Sequence, residues 1–136
     1  MKQIILDTNF LLAAYQFKVD IISEIHRICN FPYRILVLER TLDELENISK
    51  TAKGKNREAI KWALAIIKKN QIKTLKTQKK ESAQAHVDSL LLEKSREGLI
   101  IATQDKLLKK QLESQGGQFI ILRQKKYALF INEKLP

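Results

Sequence analysis

The sequence predicts an α/β protein, a three-layer α/β/α sandwich around a central parallel sheet. Two patterns predict it. Short, wholly apolar runs of strand length recur along the chain, as in strands buried on both faces. Between them, apolar residues return at intervals of three and four, the spacing of an amphipathic helix. Regular alternation of the two implies parallel strands joined by right-handed helical crossovers.

The elements follow in order. Residues 3–6 form an apolar run stopped by Asp7. Ile21, Ile22, Ile25 and Ile28 mark a helix, and residues 35–38 repeat the strand design with Ile, Leu and Val. Leu42, Leu45 and Ile48, then Ala59, Ile60, Ala63, Leu64 and Ile67, mark two more helices before a weaker strand at 72–75. Val87, Leu90 and Leu91 lead into a strand at 99–102, opened by Gly98. Leu107, Leu108 and Leu112 lead into another at 119–122, opened by Gly116 and Gly117. Residues 127–131 suit a short edge strand closing the sheet.

A chain of 136 residues with 44% hydrophobic content suits one ordinary domain, residues 1–136, able to bury a core without disulfides. Its single cysteine, Cys29, is expected in that core, and a reducing cytoplasmic interior is the natural compartment. No apolar stretch approaches a signal sequence or a membrane span, so a soluble protein is expected. The net charge of +10 favours a polyanionic partner. The excess is concentrated, since residues 50–80 hold eleven Lys/Arg against one acid, Glu58. Within it, Lys50, Lys53, Lys55 and Arg57, read as a loop around Gly54, are the candidates for gripping a phosphate backbone. A solvated lysine-rich face is the plainer reading of the same residues.

Ligands of an open α/β sheet bind beyond the carboxyl ends of its strands. Asp7 ends the first strand, Glu44 lies in the first turns after 35–38, and Asp105 follows 99–102. Asp88 sits near the start of the helix before that last strand. Singly, each has a structural explanation: Asp7, Asp88 and Asp105 as helix caps, and Thr41 to Glu44 as a capping box. Jointly, four acids at one sheet edge repel one another unless cations neutralise them. Oxygen-only ligands select hard ions, so Mg2+ or Mn2+ is expected, with hydrolysis of a phosphodiester as the chemistry. Thr8, Asn9 and Thr103 stand beside the acids, where they can orient carboxylates or water.

Read in order, these segments resemble the PIN-domain nucleases. The resemblance runs through Ile4-Ile5-Leu6-Asp7-Thr8-Asn9, Leu42-Asp43-Glu44-Leu45, Val87-Asp88-Ser89-Leu90-Leu91 and Ala102-Thr103-Gln104-Asp105. It implies a magnesium- or manganese-dependent endoribonuclease, with Asp7, Glu44, Asp88 and Asp105 as metal ligands and catalytic acids, and single-stranded or structured RNA as substrate. Small archaeal proteins related to ribosomal-RNA-processing PIN nucleases look nearest, and in them the region of Asp88 often reads Asp-Asp, where this chain has Ser89. Processing of ribosomal RNA is therefore the first expectation. A VapC-type toxin with an antitoxin partner, and an RNA-binding scaffold of weak activity, are the alternatives; a homodimer is left open.

Other classes fit less well. A haloacid-dehalogenase-type phosphotransferase wants a second Asp where the chain has Asn9, and four glycines supply no phosphate-cradling loop. Neither His26 nor His86 has a metal-ligand partner at i+4, and Trp62 falls in a helix where packing is the expected role.

Overall fold

The computed structural model describes residues 1–76 and 84–132, with residues 84–87 by backbone alone. The chain runs β1 (Lys2–Leu6), α1 (Thr8–Gln16), α2 (Ile21–Ile28), β2 (Tyr33–Leu38), α3 (Glu39–Ser49) and α4 (Gly54–Lys69). It continues through β3 (Lys73–Leu75), α5 (Gln84–Arg96), β4 (Ile100–Ala102), α6 (Lys106–Ser114), β5 (Phe119–Arg123) and β6 (Tyr127–Ile131). The strands form one sheet in the order β3-β2-β1-β4-β5-β6, parallel throughout except for the antiparallel β6 at the edge. The sheet is thus mostly, not wholly, parallel.

Alternation along each strand divides the core in two. Ile4, Leu6, Val37, Ile100, Ala102, Ile120 and Leu122 face α1, α2 and α4. Ile5, Leu36, Leu38, Ile101 and Phe119 face α5 and α6 through Leu91, Leu108 and Leu112. Helix α1 is an element that the apolar periodicity did not isolate. Phe10, Leu11 and Ala14 are buried and Leu12 and Ala13 half-buried, so the helix is apolar nearly all round and has no stripe to detect. Cys29 lies in the core as expected.

Two local devices hold the periphery. Strand β6 has an open edge, and α2 covers it: Ala128 N donates to Glu24 Oε1 at 2.9 Å, while Arg27 Nη2 donates to Ala128 O at 3.1 Å. Helix α6 ends in a Schellman turn, with Gly117 N bonded to Leu112 O at 2.9 Å and Gly116 N to Glu113 O at 3.0 Å. Gly116 has φ +71°, so a side chain there is strained. Gly116→Ala should lower stability in denaturant melts by about 1 kcal/mol and Gly116→Asn by less. Equal stability of all three proteins would contradict the role given to this turn.

Candidate active site

Strand order makes the site. β1 is followed by β2 on one side, while β4 joins β1 on the other, so the chain reverses its direction of growth between β1 and β4. A crevice opens at the carboxyl ends of such a pair. Leu6 is in register with Ala102, and Asp7 N continues the pairing to Ala102 O at 2.9 Å. The next residues, Asp7 and Thr103, therefore meet side chain to side chain: Thr103 Oγ1 donates to Asp7 Oδ2 at 2.9 Å. Asp7 is also the N-cap of α1, its Oδ1 accepting from Thr8 N at 2.9 Å.

A polar network ties the two strand ends together. Asn9 Oδ1 accepts from Gln104 N at 2.9 Å and lies 3.2 Å from Thr103 Oγ1. Asp105 N donates back to Thr103 Oγ1 at 3.2 Å, and Asp105 caps α6 by accepting from Leu108 N at 2.9 Å. Gln104 adds a hold that the sequence did not reveal. Its Oε1 accepts from Leu122 N at 2.7 Å and its Nε2 donates to Leu122 O at 3.3 Å, pinning the loop to β5. A long polar residue just beyond a strand is common in turns, so sequence alone does not mark Gln104.

Asp7 is only 5% exposed. Burial, with a smaller contribution from the negative charge of Asp88 and Asp105, raises its carboxyl from the ordinary 3.8 to about 6, against the opposing bonds from Thr103 and Thr8. Two of the other three predicted acids thus act on Asp7. Glu44 is half-buried on α3 and is not among the charges acting on Asp7. Among the described residues, no three His, Cys, Asp or Glu side chains are gathered closely enough to hold a metal. The donor chemistry nevertheless suits a hard cation, because the acids offer oxygen alone and Asp7 is kept from ionising easily by its burial and by the other two.

Several expectations change in detail. The capping box from Thr41 to Glu44 does not form, because α3 starts at Glu39, directly after β2, with Leu38 at its N-cap; Thr41 is buried and already helical. The basic loop is shorter than expected, since Gly54 opens α4. Lys50 is the C-cap of α3, Lys53 the N-cap of α4, and Lys55 and Arg57 lie in the first turn of α4, all four exposed. Asp88 lies in the second turn of α5, past any capping position. His26 is exposed, with Nδ1 3.3 Å from the Tyr33 hydroxyl, and the side chain of His86 lies outside the described residues.

With this geometry in place, residues 4–125 match the sequence profile described as PIN like domain. The chain belongs to the PIN-like domain family. It is 34% identical, over 93% of its length and 95% of the relative's, to ribonuclease VapC4 of Methanocaldococcus jannaschii. Its PIN-like fold is similar to the PIN domain endonuclease Utp24, with a TM-score of 0.74 and 18% identity over 96% of this chain and 92% of that one. It is also similar to a domain of a functionally unknown protein from Methanocaldococcus jannaschii, with a TM-score of 0.59 and 16% identity over 100% of this chain and 97% of that one.

The raised carboxyl of Asp7 gives the PIN-like site a stability signature. A folded-state pKa above the unfolded value stabilises the protein fully below about pH 4 and loses that contribution as pH rises through about 6. The loss is on the order of 3 kcal/mol for a group this buried. Urea melts in chelator should show wild type losing stability across that window. Asp7→Asn should lack the dependence and exceed wild type at neutral pH; an Asn variant that follows the wild-type curve contradicts the assignment.

Proposed function

We propose that this chain is a divalent-metal-dependent ribonuclease of the VapC type, restrained in its cell by an antitoxin partner. The observation that carries the reading is the buried Asp7 carboxylate, set at the switch point of the sheet and destabilised by Asp88 and Asp105. The 34% identity to ribonuclease VapC4 across nearly the whole of both chains supports it. The processing of ribosomal RNA, which the motifs suggested first, gains no such support, since the likeness to the endonuclease Utp24, at 18% identity, speaks for the fold alone.

In this reading Asp7, Asp88, Asp105 and Glu44 hold Mg2+ or Mn2+. When bound, the cation supplies an activated water and stabilises the charge that builds on the phosphodiester. The chain's own residues do the rest. Thr103 fixes the rotamer of Asp7, Asn9 holds the Thr103–Asp105 turn against α1, and Thr8 N fixes the second Asp7 oxygen. Lys50, Lys53, Lys55 and Arg57 neutralise RNA phosphates. Cations at a helix start oppose its dipole, so Lys53, Lys55 and Arg57 cost α4 stability where they stand. That placement favours a ligand over a purely solubilising role.

Purified protein should cleave RNA in magnesium or manganese and not in chelator. Asp7→Asn and Asp105→Asn should each slow cleavage by a factor on the order of 100 or more. Thr103→Val, which keeps every carboxylate, should slow it by about 10- to 100-fold. Expression of wild type but not Asp7→Asn should arrest growth of a host lacking the antitoxin. RNA binding without cleavage in either ion would replace this reading with that of an RNA-binding scaffold.

A further inference from the structure

Between the end of α1, the start of α2 and the length of α4 lies a groove of about 1300 Å³, lined by none of the four acids. Its floor is aliphatic, with Leu12, Ile22 and Ile66 among the lining side chains. Inside it Tyr15 stands beside Trp62, ring centroids 5.8 Å apart and planes inclined at 52°. Both rings are half-buried, so each keeps part of its surface open to the groove. The Tyr15 hydroxyl donates to Glu58 Oε2 at 3.1 Å, which fixes the ring and engages that carboxylate. The other acid of the lining, Asp20, is turned into its own helix start by bonds from Ser23 N at 3.2 Å and Ser23 Oγ at 2.8 Å. Lys18, Lys55 and Lys69 are exposed around the opening. Lys55 and Lys69 stand roughly 21 Å apart along α4 at 1.5 Å per residue.

We propose that this groove binds single-stranded RNA, with Tyr15 and Trp62 as the stacking platform and the three lysines as phosphate contacts. The inference rests on the ribonuclease reading and adds to it a binding track separate from the acids. Aromatic faces beside a line of cations are what a single strand requires, because unstacked bases present apolar faces while the backbone stays charged. The amide side chains of Gln16 and Asn56 in the lining can meet base edges.

Trp62 is the protein's only tryptophan, so its emission reports on the groove alone. In chelator, a single-stranded oligonucleotide of about ten nucleotides should quench it saturably, and a duplex of equal length should not. The doubly substituted Lys18→Gln, Lys69→Gln protein, altered only at exposed positions, should bind more weakly. Its log–log salt slope should fall by about 1.4, at roughly 0.7 per lost single-strand contact. RNA that binds by anisotropy, or is cleaved in magnesium, while Trp62 emission and the variant's slope are unchanged overturns this proposal and leaves the ribonuclease reading standing. Absence of both binding and cleavage overturns the two together. Quenching by an acidic amphipathic peptide but not by RNA also overturns it, and makes the groove a protein-docking site.

Discussion

The hydrogen bond from Thr103 to Asp7 is the contact on which the site depends. Two neighbouring parallel strands end at the same level, and the first side chains beyond the ladder meet inside the protein rather than in water. A carboxylate there is costly unless bonded or neutralised. Thr103 and Thr8 N supply the bonds, and the neighbouring Asp88 and Asp105 withhold the neutralisation. The protein therefore holds a carboxylate in a position where a cation is worth more than it would be on the surface.

That arrangement explains why so much structure converges on residues 7–9 and 103–105. Asn9, Thr103 and Gln104 are bonded to one another or to β5, and Asp7 and Asp105 each start a helix. Capping and catalysis are not competing explanations at these positions. A cap fixes the backbone and rotamer of the acid, and a fixed acid is what a metal site needs. Asp105 caps α6 and also raises the Asp7 carboxyl through its charge.

How much of this was legible follows from the kind of signal each feature leaves. The buried strands β1, β2, β4 and β5 announced themselves as apolar runs, and even the short β3 and the edge strand β6 were visible. Helix α1 was not, because a helix apolar nearly all round has no stripe, and neither was the start of α3, because no loop separates it from β2. Asp7 and Asp105 could be named from their places after strands. The long-range bonds of Gln104 to Leu122 could not, since no local pattern says which backbone a glutamine will reach. The aromatic pair of Tyr15 and Trp62 was hidden for the same reason: the residues are distant in sequence and meet only when α1 packs on α4.

The central claim is that burial and the neighbouring acids make the Asp7 carboxyl costly to ionise, so that a cation held beside it would lower its pKa. The direct measurement is the pH titration of its carboxyl carbon by NMR, assigned by comparison with Asp7→Asn, in chelator and again in magnesium. The account predicts a midpoint of about 6 in chelator and a large fall when magnesium is present. A midpoint near the ordinary 3.8 in chelator, unmoved by magnesium, would contradict it.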